Sequence, residues 1–373
     1  MAELSKVYFA DFRCPSWREN LPQKLARLMM TAGFGEIDMD GKYVAVKMHF
    51  GEPGNLAYLR PNWAKAVADL IKSQGGKPFL TDCNTLYVGG RKNALDHIES
   101  AYVNGFTPYS TGCHILIADG LKGNDEVCVA VEGGEYVKEA KIGRAVMDAD
   151  VFVSLTHFKG HEQAGMGGAL KNIGMGCGSR AGKMEMHNAG KPFVKQKRCI
   201  GCRACAKICA HGAPQFGEDG KAAIDTAKCV GCARCLAICP KDAICSRDDE
   251  APAILNKKIA EYTKAVVANR PCFHVSLVLD ISPNCDCHGE NDAPIAADVG
   301  MFASFDPVAL DQACADAVIS QPPLPGSVLF DGGYDCSCGD LLHAAHPDTE
   351  WQVCLDHAEK LGLGTKEYEL IKI

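Results

Sequence analysis

The chain has 373 residues, and its 39 Lys and Arg residues against 46 Asp and Glu residues give a net charge of −7. This mild acidity, without a basic stripe or a run of like charges, argues against a nucleic-acid partner. The first residues lack an apolar segment behind a basic one, and no apolar run approaches the roughly 18 residues of a membrane span. We therefore expect a cytoplasmic protein with no secretory signal and no membrane partner.

In chain order, apolar segments typical of strands alternate with helical patterns. The predicted strands are Tyr43–Met48, Pro78–Thr81, Ile115–Ala118, Val151–Leu155 and Phe273–Asp280. The predicted helices are Asn62–Gln74, Ile254–Ala268 and Pro307–Ile319, the last of which begins after the N-cap Asp306 with Pro at its first position. This alternation predicts an α/β fold with a mainly parallel sheet.

A cysteine repeat interrupts the pattern. CIGCRACAKICA (199–210) recurs as CVGCARCLAICP (229–240), and residues 215–221 between them are typical of a hairpin turn before a short strand at Ala222–Asp225. We expect a small α+β domain, of the bacterial ferredoxin type, at residues 193–246. It would be inserted into a discontinuous α/β body formed by residues 1–192 and 247–373.

Cysteine is unusually frequent, with 21 residues in the chain. Without an export signal, metal-binding thiolates are a better interpretation than a disulfide framework, and the composition suits an anaerobic cell. A C-x2-C-x2-C loop binds three corners of a [4Fe–4S] cluster, and a Cys three residues further on reaches the other cluster. The two predicted ligand sets are Cys199, Cys202, Cys205 and Cys239, and Cys229, Cys232, Cys235 and Cys209. A pair of zinc sites is the alternative, which the doubled motif fits less well.

A glycine-rich segment, Gly165–Lys183, follows the strand predicted at Val151–Leu155. Glycines let backbone N–H groups converge on a phosphate, and neighbouring cationic side chains add charge. The predicted cofactor-binding residues are Gly165, Gly167, Gly168, Lys171, Gly176, Ser179, Arg180 and Lys183. Flavin mononucleotide is a suitable ligand, because it couples one-electron to two-electron chemistry. A tight connection between packed strands is the alternative interpretation.

Polar residues stand where predicted strands end, namely His49, Asp82, Asn84 and His157. Ligands of α/β sheets bind beyond the carboxyl ends of the strands, so these side chains could converge on one crevice. His157 and His161 could bind a metal, act in acid–base chemistry or make structural hydrogen bonds, and Gly160 between them favours a loop.

Further cysteines and histidines follow nearer the C-terminus. Cys285 and Cys287 could ligate another metal, form a redox pair or be incidental in a Cys-rich chain, and Cys336 and Cys338 form a weaker pair. We expect the late histidines, His343, His346 and His357, to lie on the surface.

Four segments resemble the bacterial and archaeal DUF362 family, many members of which carry a ferredoxin insert. They are KMHFGEPGNLAYLRP (47–61), LTDCNTLYVGGRKNALDH (80–97), SLTHFKGHEQAGMGGALKNIGMGCGSRAGKMEMH (154–187) and SFDPVALDQAC (304–314). A more distant resemblance is to lactate racemase, whose nickel-pincer cofactor is tethered to a Lys. There a His, a glycine-rich stretch, a Lys and a later His follow one another as His161, Gly167-Gly168, Lys171 and His187 do here.

The candidate catalytic residues are therefore His49, His157, His161, Lys171 and His187. Three functions are consistent with these features. The first is an iron–sulfur oxidoreductase, in which two clusters exchange electrons with a cofactor or a small-molecule substrate in the α/β crevice. The second is a ferredoxin-type carrier that docks a redox partner protein, and the third is a racemase-like, nickel-dependent enzyme. The sequence leaves the substrate, the direction of electron flow and the oligomeric state open.

Overall fold

The computed structural model describes residues 4–86, 89–187, 191–229, 231–245, 251–331 and 339–373. The strands are β1 Ser5–Ala10, β2 Tyr43–Lys47, β3 Lys77–Asp82, β4 His114–Ile117, β5 Glu126–Ala130, β6 Glu139–Gly143, β7 Val151–His157, β8 Lys159–His161, β9 Gly165–Gly167, β10 Phe193–Val194, β11 Pro214–Phe216, β12 Ala222–Ile224, β13 Ile244–Cys245, β14 Cys272–Val278, β15 Gly300–Ser304 and β16 Tyr368–Lys372. The helices are α1 Leu21–Thr31, α2 Pro61–Ser73, α3 Ala94–Val103, α4 Pro108–Thr111, α5 Arg144–Met147, α6 Ala169–Cys177, α7 Arg180–His187, α8 Ala204–Ile208, α9 Arg234–Ile238, α10 Pro252–Val267, α11 Pro307–Ile319, α12 Val328–Asp331, α13 Leu341–Ala345 and α14 Gln352–Lys360.

An eight-stranded sheet forms the centre of the fold, in the order β16-β1-β15-β14-β7-β2-β3-β4. The five strands from β14 to β4 run parallel, whereas β15 is antiparallel to both of its neighbours. The predicted α/β class with a mainly parallel sheet is therefore confirmed. Strands that precede and strands that follow residues 193–245 contribute to this one sheet.

Two apolar layers cover the sheet, because successive residues of a strand point to opposite faces. On β2, Ala45 packs in one layer, and Val44 and Val46 pack in the other. Helices α6, α10, α11 and α14 contribute to the first layer, and α1 and α2 contribute to the second. Because the five strands from β14 to β4 are parallel, their carboxyl ends lie at the same edge of the sheet, between the helical layers.

Local sequence signals explain several element boundaries. Asn20 and Gln23 form a capping box at the start of α1, and the Asp306 carboxylate accepts the N–H groups of Val308 and Ala309 at the start of α11. The prediction of Pro307–Ile319 is correct at both ends, and the other predicted elements agree within two residues. The strands β1, β15 and β16, which form one side of the sheet, were not predicted from the sequence.

The cysteine repeats lie in a small unit between β10 and β13. These two strands pair antiparallel, with Phe193 opposite Cys245, so the chain enters and leaves the unit side by side. A second antiparallel pair joins β11 to β12, and the short helices α8 and α9 each follow the second cysteine of a repeat. We call residues 193–245 the inserted unit, because strands of the main sheet both precede and follow them. That this unit is a separate domain stays a prediction.

Among the described residues, no helix combines the length and the apolar character needed to cross a membrane. The prediction that His357 lies on the surface is wrong, because its ring is buried with Nε2 2.9 Å from Oε1 of Glu261. Cys336 and Cys338 lie outside the described residues.

Candidate functional site

A cavity of about 90 Å³ opens at the carboxyl ends of β2, β3 and β7. All five candidate catalytic residues line it, namely His49, His157, His161, Lys171 and His187. Asp82 also lines the cavity. Asn84 does not, because its side chain donates to the buried carboxylate of Asp119 at 2.8 Å. The strand-end placement thus brings together residues that are far apart in the sequence.

A buried ion pair lines the cavity where β2 and β3 end. Nζ of Lys47 lies 3.1 Å from Oδ1 of Asp82, and it donates to Oδ1 of Asn172 at 2.8 Å. Burial alone would raise the pKa of the Asp82 carboxyl, but the Lys47 ammonium and His97 outweigh burial and hold this pKa well below its usual range. The cavity wall therefore carries a fixed, mutually neutralised charge pair.

His49 faces a cation. Its Nε2 lies 2.8 Å from Nη1 of Arg91, and Nε of Arg91 donates to Glu52 at 2.7 Å. Burial, and then the Arg91 guanidinium, hold the pKa of His49 well below its usual range. The ring is therefore neutral at pH 7, and its Nδ1 accepts the N–H group of Gly51 at 3.0 Å.

Hydrogen bonds within the fold engage both ring nitrogens of His157. Nδ1 lies 2.9 Å from Oδ2 of Asp286, and Nε2 lies 2.8 Å from the carbonyl oxygen of Leu279. Nζ of Lys159 lies 3.4 Å from the same Asp286 carboxylate. Of the roles considered for His157, these contacts favour structural hydrogen bonding.

Lys171 and two cysteines form a second polar group in the cavity. Nζ of Lys171 lies 3.5 Å from Sγ of Cys285. A hydrogen bond from the Cys287 thiol, followed by Lys171 and His161, holds the pKa of Cys285 well below its usual range, although burial opposes the shift. The same hydrogen bond, followed by burial, holds the pKa of Cys287 well above its usual range. Cys285 is therefore the more acidic thiol of this pair.

Two neutral imidazoles lie close to this group. Nδ1 of His161 accepts the N–H groups of Gln163 and Ala164, both at 3.0 Å, so its Nε2 carries the proton. Burial, and then the Lys171 ammonium, lower the pKa of His161. At the end of α7, burial followed by His161 and Lys171 lowers the pKa of His187 to about 3.

A close backbone contact holds the Cys285 loop against β8. The N–H group of Gly160 donates to the carbonyl of Ser282 at 2.9 Å, and a Cβ at Gly160 would lie 2.4 Å from the carbonyl oxygen of Pro283. The interpretation of Gly160 as a loop residue is wrong, because it lies within β8. A glycine is required there because only a bare backbone lets the loop approach closely enough to place Cys285 beside His161.

The glycine-rich segment is also not a loop. Gly165 and Gly167 lie on β9, Gly168 is the N-cap of α6, Lys171 and Gly176 lie on α6, Ser179 lies between the two helices, and Arg180 and Lys183 lie on α7. The N–H groups of Ala169 and Leu170 donate to the Asp311 carboxylate at 2.6 and 2.9 Å. This helix N-terminus, the expected phosphate site, therefore already binds a carboxylate of the chain itself.

The predicted phosphate-binding side chains are also engaged within the fold. Nζ of Lys183 donates to the carbonyl of Gly178 at 2.7 Å, Arg180 donates to the carbonyl of Lys92, and Ser179 donates to Glu126. Gly167, Gly168, Lys171, Gly176 and Lys183 line the main cavity, whereas Gly165, Ser179 and Arg180 do not. A phosphate-bearing cofactor such as flavin mononucleotide stays a prediction, and these contacts do not favour it.

The inserted unit contains two further cavities, each lined by four cysteines. One set comprises Cys199, Cys202, Cys205 and Cys239, and the other comprises Cys209, Cys229, Cys232 and Cys235. In each set, three cysteines come from one repeat and the fourth comes from the other. Every cysteine that the structure describes is a free thiol, which is compatible with metal binding.

The backbone around these cysteines repeats as closely as the sequence does. Left-handed φ angles occur at matching positions of both repeats, namely Gly201 (68°), Arg203 (63°), Gly231 (73°) and Ala233 (53°). Such angles cost energy in residues other than glycine, so they indicate a required loop shape. Backbone N–H groups point at sulfur, with Ala222 donating to Cys199 at 3.3 Å and Ala243 donating to Cys239 at 3.2 Å.

The inserted unit packs directly on the body. Leu86 and Met184 of the body share an apolar cluster with Cys205 and Leu236 of the inserted unit. Leu86 also lines the main cavity, so the apolar cluster that the two units share reaches the candidate site.

The family described as "Domain of unknown function (DUF362)" matches residues 44–316. The chain belongs to the DUF362 family. A thylakoid-associated protein of Synechocystis sp. is 28% identical over 154 residues, which are 39% of this chain and 42% of that protein. The chain therefore matches less than half the length of this curated relative.

Two solved structures are distantly similar to this DUF362 protein. A Thermotoga maritima protein has 13% identity and a TM-score of 0.41, covering 83% of this chain and 60% of that chain. The lactate racemase apoprotein of Thermoanaerobacterium thermosaccharolyticum has 12% identity and a TM-score of 0.33, covering 74% of this chain and 51% of that chain. Both likenesses are too distant to indicate a shared activity.

Several residues of the DUF362 site were missed in the sequence. Lys47 offered a signal, because it ends the apolar segment YVAVK of β2 and a charged residue there requires a buried partner. Arg91 offered none, since its partner Glu52 lies 39 positions away in the sequence.

Proposed function

We propose that the protein is an iron–sulfur electron-transfer protein that holds two [4Fe–4S] clusters in the inserted unit. The clusters exchange electrons with a small molecule bound in the main cavity, which makes the protein an oxidoreductase. The observation that carries the proposal is the pair of four-cysteine cavities, each with one cysteine contributed by the other repeat. This exchange of the fourth ligand is the known arrangement in two-cluster ferredoxins.

The spacing of the donors supports clusters over single zinc ions. Among the described residues, the group of three or more His, Cys, Asp or Glu donors that approach within 4.8 Å of one another is Glu162, Cys287 and His288. In neither cysteine set do three sulfur atoms all lie within 4.8 Å of one another. A zinc ion with Zn–S bonds of about 2.3 Å needs closer sulfurs, whereas a cube of four irons and four sulfides separates its ligands more widely.

The contact between the inserted unit and the body supports electron exchange with the main cavity. Leu86 lines that cavity and belongs, with Met184, to the apolar cluster that includes Cys205 of the inserted unit. In the cavity, Lys171 supplies a positive charge and an acid that can protonate a reduced substrate, and the Nε2–H group of His161 is a hydrogen-bond donor. A carrier that only docks a partner protein does not require such a polar cavity.

Reductive titration of the anaerobically reconstituted protein tests the proposal. We expect the brown cluster absorption to bleach with about two electrons per chain, because each of two [4Fe–4S] clusters accepts one electron. The midpoint potentials should be low, since no His replaces a Cys ligand to raise them. A reconstituted protein that accepts no electrons at low potential would contradict the proposed function.

A further inference from the structure

We propose a mononuclear metal site formed by Glu162, Cys287 and His288, at the edge of the main cavity and separate from the cluster cysteines. Their three ligand atoms lie within 4.8 Å of one another. Oε1 of Glu162 is 2.9 Å from Nε2 of His288. The site takes a divalent ion of intermediate softness, of the class of Zn²⁺ or Fe²⁺, because its donors are one carboxylate oxygen, one imidazole nitrogen and one sulfur.

The fold brings these residues together from two different segments. Glu162 lies in the turn between β8 and β9, whereas Cys287 and His288 lie in the loop that follows β14. The close contact of Gly160 with Pro283 fixes the loop against the β8–β9 hairpin. The ligand set is thus held by backbone packing, and only small side-chain movements are needed to close it around an ion.

A contact to the Glu162 carboxylate from the neighbouring backbone supports the same assignment. The backbone N–H group of Cys285 donates to Oε2 of Glu162 at 3.3 Å, which orients the carboxylate. Nδ1 of His288 lies 3.7 Å from Oε1 of Glu290, on the side of the ring away from Glu162. Glu290 is 84% exposed and makes no hydrogen bond at this distance, so the Cys285 N–H group is the contact that orients the site.

Three protein ligands are the number that catalytic metal sites have. Structural zinc sites close four protein ligands around the ion, whereas catalytic sites keep three and leave a position for water or substrate. Cys287 also lines the main cavity, and the side chains of His288 and Glu162 are 41% and 32% exposed. A small molecule in the cavity could therefore reach the fourth position, beside Lys171 and Cys285.

Cobalt binding tests this site in the cluster-loaded protein. We expect equilibrium dialysis against Co²⁺ to add one ion per wild-type chain at unchanged iron and sulfide content, with a sulfur-to-cobalt charge-transfer band in the difference spectrum. His288→Asn and Cys287→Ser should each weaken Co²⁺ binding by at least about 100-fold. Losing a group that only hydrogen-bonds to a metal ligand already costs about 10–100-fold, and these changes remove a ligand itself.

The matched control is Cys128→Ser, which removes an exposed thiol of β5 and should leave Co²⁺ binding unchanged. Circular dichroism and iron content establish that each variant is folded. If Cys287→Ser does not fold, Glu162→Gln is the second ligand variant. Unchanged Co²⁺ affinity in both His288→Asn and a folded second ligand variant would overturn the proposal. A chain that takes up no iron or sulfide on reconstitution but still binds Co²⁺ through Cys287 would contradict the proposed function and leave this site standing.

Discussion

Removing Cys205 together with Cys239 should leave about four irons per chain, whereas removing Cys205 together with Cys209 should leave almost none. Cys205 and Cys239 line the same cavity although they belong to different repeats. Cys205 and Cys209 are close neighbours in one repeat but line different cavities. The first pair of Cys→Ala changes therefore damages one cluster, and the second pair damages both.

Iron and sulfide analysis after anaerobic reconstitution measures the difference. Both double variants lose two thiols, so the comparison is matched for chemistry, and a Cys14→Ala, Cys128→Ala variant controls for cysteine loss outside the inserted unit. That control should keep about eight irons. The reverse order, with four irons retained after loss of Cys205 and Cys209, would mean that each repeat binds its own cluster.

Replacing Asp82 by Asn should destabilise the folded protein by about 3–5 kcal/mol, since it leaves the Lys47 ammonium buried without its counter-charge. Both side chains are almost fully buried, at 1% and 4% exposure. Urea unfolding of equally cluster-loaded proteins measures the loss as a lower midpoint. The control is Asp69→Asn, which breaks the exposed Lys65–Asp69 pair and should cost no more than about 0.5 kcal/mol.

The same carboxylate gives a pH dependence of defined sign. The pKa of Asp82 is lower in the folded state than in the unfolded state, so its contribution is fully present above the unfolded value of 3.8 and is lost as the pH falls further. Asp82→Asn should therefore lose less stability than the wild type on acidification below about pH 4. An Asp82→Asn protein with a wild-type midpoint at neutral pH would show that Lys47 needs no counter-charge.

The fold was predictable where local signals and burial agree. α11 begins at Pro307 because Asp306 caps it and Pro fits the first turn, and both features are visible in the sequence. The parallel strands are apolar runs because both of their faces are covered. The edge strand β16 (YELIK) lacks such a run, so its pairing with β1, which spans almost the whole chain, has no local signature.

The glycine-rich segment shows why the site was harder to predict. Glycines commonly mark loops, but a Cβ at Gly174 would lie 2.2 Å from the carbonyl oxygen of Ile259, and one at Gly182 would lie 2.5 Å from that of Lys141. These glycines let α6 and α7 pack closely against α10 and β6. Close packing and phosphate binding demand the same residue type, and only the tertiary contacts distinguish them.

The histidines of the cavity were predictable because parallel strands end at one edge of the sheet, which places His49 and His157 together. The charged groups that face these two histidines were not predictable. Arg91 reaches His49 from a segment 42 positions away, and Asp286 reaches His157 from one 129 positions away. No periodic pattern encodes such pairs.

The most direct test of the central claim is the iron and acid-labile sulfide content of the wild-type chain after anaerobic reconstitution. Two clusters of four irons and four sulfides predict about eight of each per chain. All eight cluster cysteines are free thiols arranged around two cavities, so both clusters should form together. A content near four of each, or zinc in place of iron without sulfide, would contradict the account.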